Sequence, residues 1–409
     1  MPSLPRSAQG DFRPVNSVRN VAVFFGGRSV EHEVSVVTAM QALAALPVDR
    51  FHGIPVYISK QGTWHSGDAL RELEAYRDIE RLLSRATHVT LRPEPQARHS
   101  LLEVASKRGL LAAGRSRSIA TIDAALPLIH GSHGEDGTLQ GLFELCDLAY
   151  AGCRPAAAAI SMDKRLSKAV LRSARLPVLD DVVIDRAHWR SDAEAMCVQV
   201  ESTFASPHFV KPLSLGSSIG VTRVETREQL RDAVDTALTY DLQCLVEPAQ
   251  EDIIEINCAV LGRGRDLRTS VCEQPVAAGT LTYADKYLSK PGSKSARTTG
   301  MKGSQRLIPA PIPVQLTQRI RDAAATAFHA IGAEGVARVD FLVRPESGWF
   351  AVNELNTVPG SLAFYLWEPA GITFPDLLTR LIEMGLERAE EKRGTTFSID
   401  SWLLRGEPG

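Results

Sequence analysis

The segments Arg338-Val-Asp-Phe-Leu-Val343 and Asn353-Glu-Leu-Asn356 decide how the C-terminal part of this chain folds. Polar and apolar residues alternate in both segments, as they do in strands with one polar and one apolar face. The residues between them include Arg344-Pro-Glu-Ser-Gly348, a sequence typical of a turn. The two segments are therefore predicted to form an antiparallel hairpin.

The register of this hairpin brings four polar residues to one sheet face. A turn centred near Ser347 places Asp340 opposite Glu354 and Arg338 opposite Asn356. Two carboxylates this close repel each other unless a cation lies between them. Carboxylate and amide oxygens favour Mg²⁺, which usually completes its coordination with water and substrate phosphates. Asp340, Glu354 and Asn356 are therefore candidate magnesium ligands; the alternative is a solvated polar face on an edge hairpin.

A glycine- and serine-rich loop follows an apolar strand in Phe209-Val-Lys-Pro-Leu-Ser-Leu-Gly-Ser-Ser-Ile-Gly220. Backbone amides freed by glycine, together with hydroxyl groups, can hold phosphate oxygens. The loop is not a Walker A motif, because Lys211 precedes the glycines. A flexible loop without a ligand is the alternative. Lys164 and Glu247 are candidates for a second cation and a ribose-binding carboxylate, although each alone is equally compatible with a solvated residue.

The composition limits the classes of protein to which the chain can belong. Its 409 residues suggest two or three domains, and its formal net charge of -2 provides no basic field for nucleic acid. The six cysteines show no metal-ligand spacing and are predicted to be reduced core residues. No apolar run is long enough to span a bilayer, and the N-terminus lacks the apolar core of a signal peptide. We therefore expect a cytoplasmic protein without nucleic-acid or membrane partners.

The N-terminal part of the chain has the pattern of a parallel α/β domain over residues 19–150, preceded by a loose tail at residues 1–18. The predicted elements are a strand at 21–25, a helix at 34–46 and strands at 54–58 and 122–129. Residues 85–115 have poor periodicity, and no element is predicted there. Gly26-Gly27 after the first strand suggests a dinucleotide-binding oxidoreductase, but no G-x-G-x-x-G motif follows.

The order of the motifs resembles that of the ATP-grasp superfamily and, within it, of the D-alanine–D-alanine ligase family. The ordered motifs are Met162-Asp-Lys164, the 209–220 segment, Glu247, Arg338-Val-Asp340 and Asn353-Glu-Leu-Asn-Thr-Val-Pro-Gly360. Three further stretches support the narrower family: Phe25-Gly-Gly-Arg-Ser-Val-Glu-His-Glu-Val-Ser35, His130-Gly-Ser-His-Gly-Glu-Asp-Gly-Thr-Leu-Gln-Gly141 and Asp285-Lys-Tyr287. The resemblance covers about residues 19–387.

The resemblance implies an ATP-grasp fold of α/β and α+β class, preceded by an N-terminal parallel α/β (pre-ATP-grasp) domain. It places a central ATP-grasp domain at 151–243, a C-terminal ATP-grasp domain at 244–387 and an extension at 388–409. ATP would phosphorylate the carboxylate of one D-alanine, and the amine of a second would attack the acyl phosphate, giving D-alanyl-D-alanine for peptidoglycan precursors. The expected cofactors are ATP and two Mg²⁺, which Mn²⁺ can replace, and the expected assembly is a homodimer.

The resemblance also assigns roles to individual residues on the nucleotide side. Lys164 and Lys211 would hold the ATP phosphates, and Glu247 and Glu255 would contact the adenosine, Glu255 at the ribose. The three candidate ligands of the hairpin would bind the Mg²⁺ ions. The remaining residues expected to contact the nucleotide or to close over its γ-phosphate are Ser217, Ser218 and Lys286.

On the amino-acid side, Glu31 would bind the ammonium of the first D-alanine, with His130 nearby. Arg338 would stabilise the acyl phosphate and the tetrahedral intermediate. Ser217 and Tyr287 would link Glu31 to the phosphate loop and the mobile loop, and Tyr287 favours an amino acceptor over a hydroxy acid. Gly360 would contribute backbone groups to the same site.

Two segments depart from the family pattern. After Gly360 the chain has Ser361-Leu-Ala-Phe-Tyr-Leu-Trp367 in place of a segment whose serine holds the acceptor carboxylate. Ser361, Tyr365 or backbone amides would have to replace it, so the acceptor stays open. The loop at 288–308 is long and basic, and is either a solvated lid or a lid that screens ATP.

Two other functions compete with D-alanine–D-alanine ligation. One is a ligase of specialised metabolism that joins other amino acids, which the altered segment after Gly360 allows. The other is a non-catalytic nucleotide-binding homologue. The joint presence of Lys164, Lys211, Arg338 and the metal ligands argues against the second alternative.

Overall fold

The computed structural model describes residues 18–96, 98–104, 117–216, 219–276, 306–397 and 399. The predictions for the tail at 1–17, for most of the basic loop, and for four site residues lie outside these ranges. Those site residues are Ser217, Ser218, Lys286 and Tyr287. The expected N-terminal α/β unit and the ATP-grasp elements after it are both present in the described residues.

The N-terminal part forms one seven-stranded sheet. Its strands are β1 (Arg19–Gly26), β2 (Phe51–Ile58), β3 (Trp64–Ser66), β4 (Thr87–Thr90), β5 (His99–Glu103), β6 (Ser118–Ile122) and β7 (Ala124–Pro127). The spatial order is β6-β5-β4-β3-β2-β1-β7. Parallel pairing is confined to β2-β1-β7, whereas β2 to β6 pair antiparallel in sequence. The sheet is therefore mixed, and β4 and β5 occupy part of the region in which no element was predicted.

The parallel core of this sheet surrounds β1, in which every residue from Val21 to Gly26 is buried. Strands covered on both faces have such unbroken apolar runs. Helix α1 (His32–Ala45) follows the glycine turn. The hydroxyl of Ser35 accepts from the Gly26 amide at 2.8 Å and donates to the Leu128 carbonyl at 2.6 Å. This bond pair fixes the start of α1 between the ends of β1 and β7.

The middle of the chain contains short helices and a four-stranded antiparallel sheet. The strands are β8 (Val182–Asp185), β9 (His208–Pro212), β10 (Thr222–Val224) and β11 (Gln243–Pro248), in the order β10-β9-β11-β8. Helices α2 (Ile79–Ser84) and α3 (Thr138–Cys146) belong to the N-terminal part, and α4 to α8 are Pro155–Met162, Lys164–Ser173, Arg186–Ser191, Ala193–Thr203 and Arg227–Tyr240. Val210 and Val246 pack against α6–α8 in one apolar cluster. Strand alternation therefore directs Lys211 and Glu247 to the opposite face.

The C-terminal sheet has five antiparallel strands in the order β14-β13-β12-β15-β16. They are β12 (Ile254–Arg263), β13 (Asp266–Pro275), β14 (Arg306–Leu307), β15 (Gly335–Arg344) and β16 (Trp349–Asn356). Helix α9 (Val314–Ala330) packs on one face, where Phe328 meets Val339 and Phe341 in a common cluster. Arg338 and Asp340, which alternate with Val339 and Phe341 along β15, belong to the other face.

The last helices are α10 (Phe364–Trp367) and α11 (Phe374–Arg393). Residues 388–393 belong to α11, which continues to Arg393. Arg388 donates to the carbonyls of Tyr150 and Gly152, each at 2.8 Å, and pairs with Glu334 at 2.7 Å. These partners anchor the charged end of the helix to the segment at Tyr150 and Gly152.

The cysteines and the helices of the described ranges bear on two predictions from composition. All six cysteines are buried and none forms a disulfide, as predicted. No helix within those ranges combines the length and the apolar character needed to cross a membrane.

Candidate active site

The hairpin of β15 and β16 has the predicted register, with Arg338 opposite Asn356 and Asp340 opposite Glu354. A β-bulge lies immediately beyond Asp340, and it leaves Asn353 without a direct partner on β15. Bulges redirect side chains. Here the Asn353 amide oxygen accepts a hydrogen bond from the Lys211 Nζ at 3.3 Å, so the bulge connects the hairpin to the central sheet.

The carboxylate of Asp340 is the centre of a buried polar group. Arg338 donates to it through Nε at 2.6 Å and Nη2 at 2.7 Å, and the Asn356 amide donates at 3.0 Å. Burial disfavours the charged form of Arg338, but the charge and hydrogen bonds of Asp340, together with the charges of Tyr365 and Glu273, raise the pKa of Arg338. The arrangement places a guanidinium and a carboxylate beside each other on the sheet face opposite α9.

Two buried lysines share the carboxylate of Glu247. Lys211 pairs with it at 2.5 Å, and Lys168 pairs with its other oxygen. Burial alone would raise the pKa of Glu247, but Lys211 and Lys168 lower it to about 2. Lys168 also contacts Asp181 at 3.2 Å and therefore has two carboxylate partners. Lys211, in contrast, faces the hairpin.

Lys164 is the first residue of α5 (Lys164–Ser173), and Asp163 is the N-cap of this helix. The Asp163 carboxylate accepts a hydrogen bond from the Leu166 amide at 2.9 Å. The Nζ of Lys164 donates to the carbonyls of Leu215 at 2.6 Å and Leu213 at 3.4 Å, at the start of the glycine-rich loop. Burial lowers the pKa of Lys164, whereas the nearby charge of Glu354 opposes that shift. The second predicted cation therefore lies beside the loop.

Asp241 anchors the same loop and was not identified from the sequence. One of its carboxylate oxygens accepts from the Ser214 amide at 2.7 Å, and the other accepts from the Leu242 amide at 2.6 Å. Glu255 lies on β12. The charges of Glu247, Glu354 and Glu255 all raise the pKa of Lys211. Both sheets thus direct charged groups toward one region.

Glu31 is buried at the start of α1, where its carboxylate approaches two glycines. A methyl group added at Gly131 would lie 2.7 Å from its Oε2, and one added at Gly216 would lie 3.4 Å away. Only a residue without a side chain fits at Gly131, which also has a φ of +72°. The structure therefore places Glu31 beside Gly216, at the start of the glycine-rich loop.

His130 and Glu135 hold the peptide groups of Val358, just beyond the hairpin. The Nδ1 of His130 donates to the Val358 carbonyl at 2.7 Å, so its Nε2 accepts from the Thr38 hydroxyl at 2.9 Å. Glu135 accepts from the amides of Val358 at 2.8 Å and Gly131 at 2.9 Å. Burial lowers the pKa of His130 to about 4, so the ring is neutral near pH 7.

Glu135 is a further site residue that was not assigned a role from the sequence. Burial, followed by the negative charge of Glu31, raises its pKa to about 8. A buried carboxyl group whose pKa is shifted this far by burial and a second carboxylate is typical of a functional site.

The segment after Gly360 turns through three consecutive residues in the left-handed region, Ser361, Leu362 and Ala363, each with φ of 52°. The Ser361 amide donates to the Thr38 hydroxyl at 3.1 Å, and its own hydroxyl donates to Gln41 at 2.7 Å. These bonds hold Ser361 against α1. They give no support to the prediction that its hydroxyl binds a substrate.

The donor set on the hairpin suits a hard divalent cation. The described residues contain no group of three or more His, Cys, Asp or Glu side chains that would hold a metal ion unaided. Asp340, Glu354 and Asn356 instead offer two carboxylates and one amide on a shared sheet face. Mg²⁺ is commonly bound by one or two carboxylates together with substrate phosphates, so these residues fit it.

Comparison with protein families gives two matches in chain order. The family model described as "D-ala D-ala ligase N-terminus" matches residues 20–153, and that described as "D-ala D-ala ligase C-terminus" matches residues 170–383. The chain belongs to the D-alanine–D-alanine ligase family. The resemblance stated from the motifs is thereby confirmed.

Relatives in this family align over nearly the whole chain. The D-alanine–D-alanine ligase of Thermosipho melanesiensis is 34% identical over 386 residues, which cover 94% of this chain and 98% of the relative. D-alanine–D-alanine ligase A of Escherichia coli K12 is 35% identical over 374 residues, which cover 90% of this chain and 96% of that enzyme. The family relation therefore extends beyond single motifs.

Solved structures show the same architecture. The D-alanine–D-alanine ligase of Coxiella burnetii superposes with a TM-score of 0.72 at 29% identity, covering 92% of this chain and 97% of that one. The VanG D-Ala:D-Ser ligase of Enterococcus faecalis superposes with a TM-score of 0.73 at 28% identity, covering 90% and 100%. The predicted ATP-grasp fold with its N-terminal α/β domain is confirmed.

Proposed function

We propose that the protein joins two D-alanine molecules to D-alanyl-D-alanine, with ATP converted to ADP and phosphate. The observation that carries this proposal is the convergence of the central and C-terminal sheets. Lys164 and Lys211 face the hairpin that holds Arg338, Asp340 and Glu354, while Glu31 approaches from the N-terminal domain. The product is a building block of peptidoglycan precursors.

The nucleotide is assigned to the space between the two sheets. Lys164 and Lys211 bind its phosphates, because both are buried cations close to Glu354. Glu255 and Glu247 lie on the adenosine side; Glu247 also fixes Lys211 through their ion pair. Asp340, Glu354 and Asn356 would hold two Mg²⁺ or Mn²⁺ ions, which when bound supply charge neutralisation for the phosphates.

The proposed chemistry has two steps. A carboxylate oxygen of the first D-alanine attacks the γ-phosphorus of ATP, and the bond to ADP breaks. The amine of the second D-alanine then attacks the acyl carbon, its extra proton is released, and phosphate leaves. Arg338 places positive charge beside the oxygens that become negative in both steps. Glu31 binds the ammonium of the first D-alanine, which keeps that amine from acting as the nucleophile.

The residues outside the described ranges complete this proposal by resemblance. Ser217 and Ser218 would cover the γ-phosphate, and Lys286 and Tyr287 would close the site. We also propose that the enzyme is a cytoplasmic homodimer of three domains, divided near residues 151 and 244. The six buried thiols agree with a reducing compartment.

A second candidate differs only in the acceptor. The segment after Gly360 lacks the family's usual serine-containing stretch, and the structural relatives include a D-Ala:D-Ser ligase. A ligase that joins D-alanine to another amino acid would use the same nucleotide site. The left-handed turn at Ser361–Ala363 is the observation that favours keeping this candidate.

Phosphate release with ATP and Mg²⁺ across a panel of amino acids distinguishes these candidates. Turnover with D-alanine alone, and a product with the mass of the dipeptide, supports the first. Turnover that requires a second amino acid supports the alternative. Absence of ATP hydrolysis with every pair would refute both, and an Arg338→Gln variant serves as the inactive control.

A further inference from the structure

A buried cluster on the C-terminal sheet lies beside the proposed reaction centre and has no role in the mechanism above. Glu273 on β13 accepts from the Tyr365 hydroxyl at 3.0 Å and pairs with the Nη1 of Arg306 at 2.9 Å. The guanidinium of Arg306 also covers the Tyr365 ring, with its carbon 4.2 Å from the ring centroid. The three side chains therefore orient one another.

The sheet register gives the position of this cluster. Asn257 on β12 is opposite both Glu273 and Asp340, and its amide donates to Glu273 at 3.1 Å. Glu273, Asn257 and Asp340 consequently share one face, with Glu273 two strands from Asp340. Two strand spacings are about 10 Å. One long side chain and one bound amino acid together could roughly span this separation between the cluster and the Arg338–Asp340 pair.

Electrostatics place the cluster in the same field as the reacting groups. The charge of Arg338 acts on both Arg306 and Tyr365. A buried ion pair seldom stabilises a fold more than apolar residues of the same size would. An arginine fork is, however, well suited to bind a carboxylate. A buried and preoriented arginine at this distance suits a carboxylate ligand better than a packing role.

The amino-acid acceptor of the proposed reaction carries a carboxylate that the site must bind. The family's serine-containing stretch is replaced here, and the hydroxyl of Ser361 is already bonded to Gln41. Tyr365 belongs to the replacement segment, and it holds Arg306 through Glu273 and through its ring. We propose that Arg306 binds the carboxylate of the acceptor amino acid and that Tyr365 positions it, making Arg306 a specificity-determining residue. This inference rests on the proposed ligase function.

A competition between two acceptors tests the proposal. D-alaninamide has no carboxylate, so it can serve only as an acceptor, and its product differs in mass from D-alanyl-D-alanine. In an equimolar mixture with D-alanine, the ratio of the two products reports the relative kcat/KM of the acceptors. The ratio does not depend on how much of a variant is correctly folded.

The wild type is expected to prefer D-alanine by about ten- to a hundred-fold, since a charge-assisted hydrogen bond contributes that factor. Arg306→Gln should bring the ratio close to one. Arg306→Lys retains the charge without the fork and should give an intermediate ratio. Tyr365→Phe should reduce the preference by less than Arg306→Gln, while the KM for ATP stays within about two-fold for all three variants.

The matched control is Arg321→Gln. Arg321 bonds to Thr269 on the same strand β13 at 2.9 and 3.2 Å, but from helix α9 on the opposite face. It should keep the wild-type product ratio. If Arg306→Gln and Arg306→Lys also keep that ratio, the proposal is wrong even though the enzyme is a ligase. If the wild type makes neither product, the ligase function itself fails.

Discussion

The carboxylate of Glu247 should contribute to stability only while it is ionised. Its pKa falls from 4.5 to about 2 in the fold, where burial opposes the charge but Lys211 and Lys168 favour it. A shift of this size corresponds to about 3 kcal/mol of unfolding free energy at pH 7. A Glu247→Gln substitution removes this term and leaves Lys211 without its carboxylate partner. We therefore expect the variant to be less stable by about 3 to 5 kcal/mol.

The pH dependence of this difference follows from the direction of the shift. A carboxylate whose pKa is lowered in the fold stabilises above its unfolded pKa, and that stabilisation is lost as the pH falls toward the folded value. The pKa-linked part should therefore remain near 3 kcal/mol at pH 7 and decrease to about 2 kcal/mol at pH 3.5. Guanidinium unfolding of wild type and Glu247→Gln at pH 7, 5 and 3.5, without ATP, measures it.

Glu251 provides the control for this experiment. It is exposed and lies on the connection between β11 and β12, close in sequence to Glu247. Glu251→Gln should change the unfolding free energy by less than about 0.5 kcal/mol at every pH. Equal stability of Glu247→Gln and wild type at pH 7, or a difference that does not narrow in acid, would refute the assignment of this ion pair.

Three further predictions concern the site. Lys211→Met should raise the KM for ATP by about ten-fold or more, as removal of a buried phosphate-binding cation requires; an unchanged value would exclude Lys211 from the nucleotide site. Asp340→Asn should raise the Mg²⁺ concentration that gives half-maximal activity, measured by titration at saturating ATP, and an unaltered titration would argue against metal binding there. Because the pKa of Glu135 is raised to about 8, the wild type should lose stability relative to Glu135→Gln as the pH rises from 5 to 8. Parallel stability curves of the two proteins over that range would contradict the buried-carboxylate assignment.

The sequence predicted best those features that depend on residues close to one another along the chain. The alternation on either side of the turn at 344–348 was sufficient to give the register of Asp340 and Glu354, because a one-residue slip would expose Val339 and Phe341. The helix after Asp163 and the loop after Lys211 were likewise marked by local signals. The family resemblance then indicated that both take part in binding the phosphates of ATP.

The residues that escaped prediction owe their roles to distant partners. Glu135 bonds to an amide 223 positions away, and Arg306 depends on residues of β13 and α10. No spacing along the chain signals such contacts. The short antiparallel strands β4 and β5 were missed for a related reason, since their few residues are stabilised by pairing within the sheet and carry weak periodicity of their own.

The hydrogen bonds to the backbone of Val358 restrain how parts of the chain can move relative to one another. Glu135 accepts a hydrogen bond from the Val358 amide and His130 donates one to its carbonyl. Both polar backbone groups of this residue are therefore bonded to the segment that follows β7 of the N-terminal sheet. Pulling that residue away would remove one hydrogen bond from each of the buried side chains of Glu135 and His130, at a cost of about 1 to 3 kcal/mol for each. We therefore expect the N-terminal sheet and the β15–β16 hairpin to move together when ATP enters, with the sheet of β8 to β11 moving relative to them.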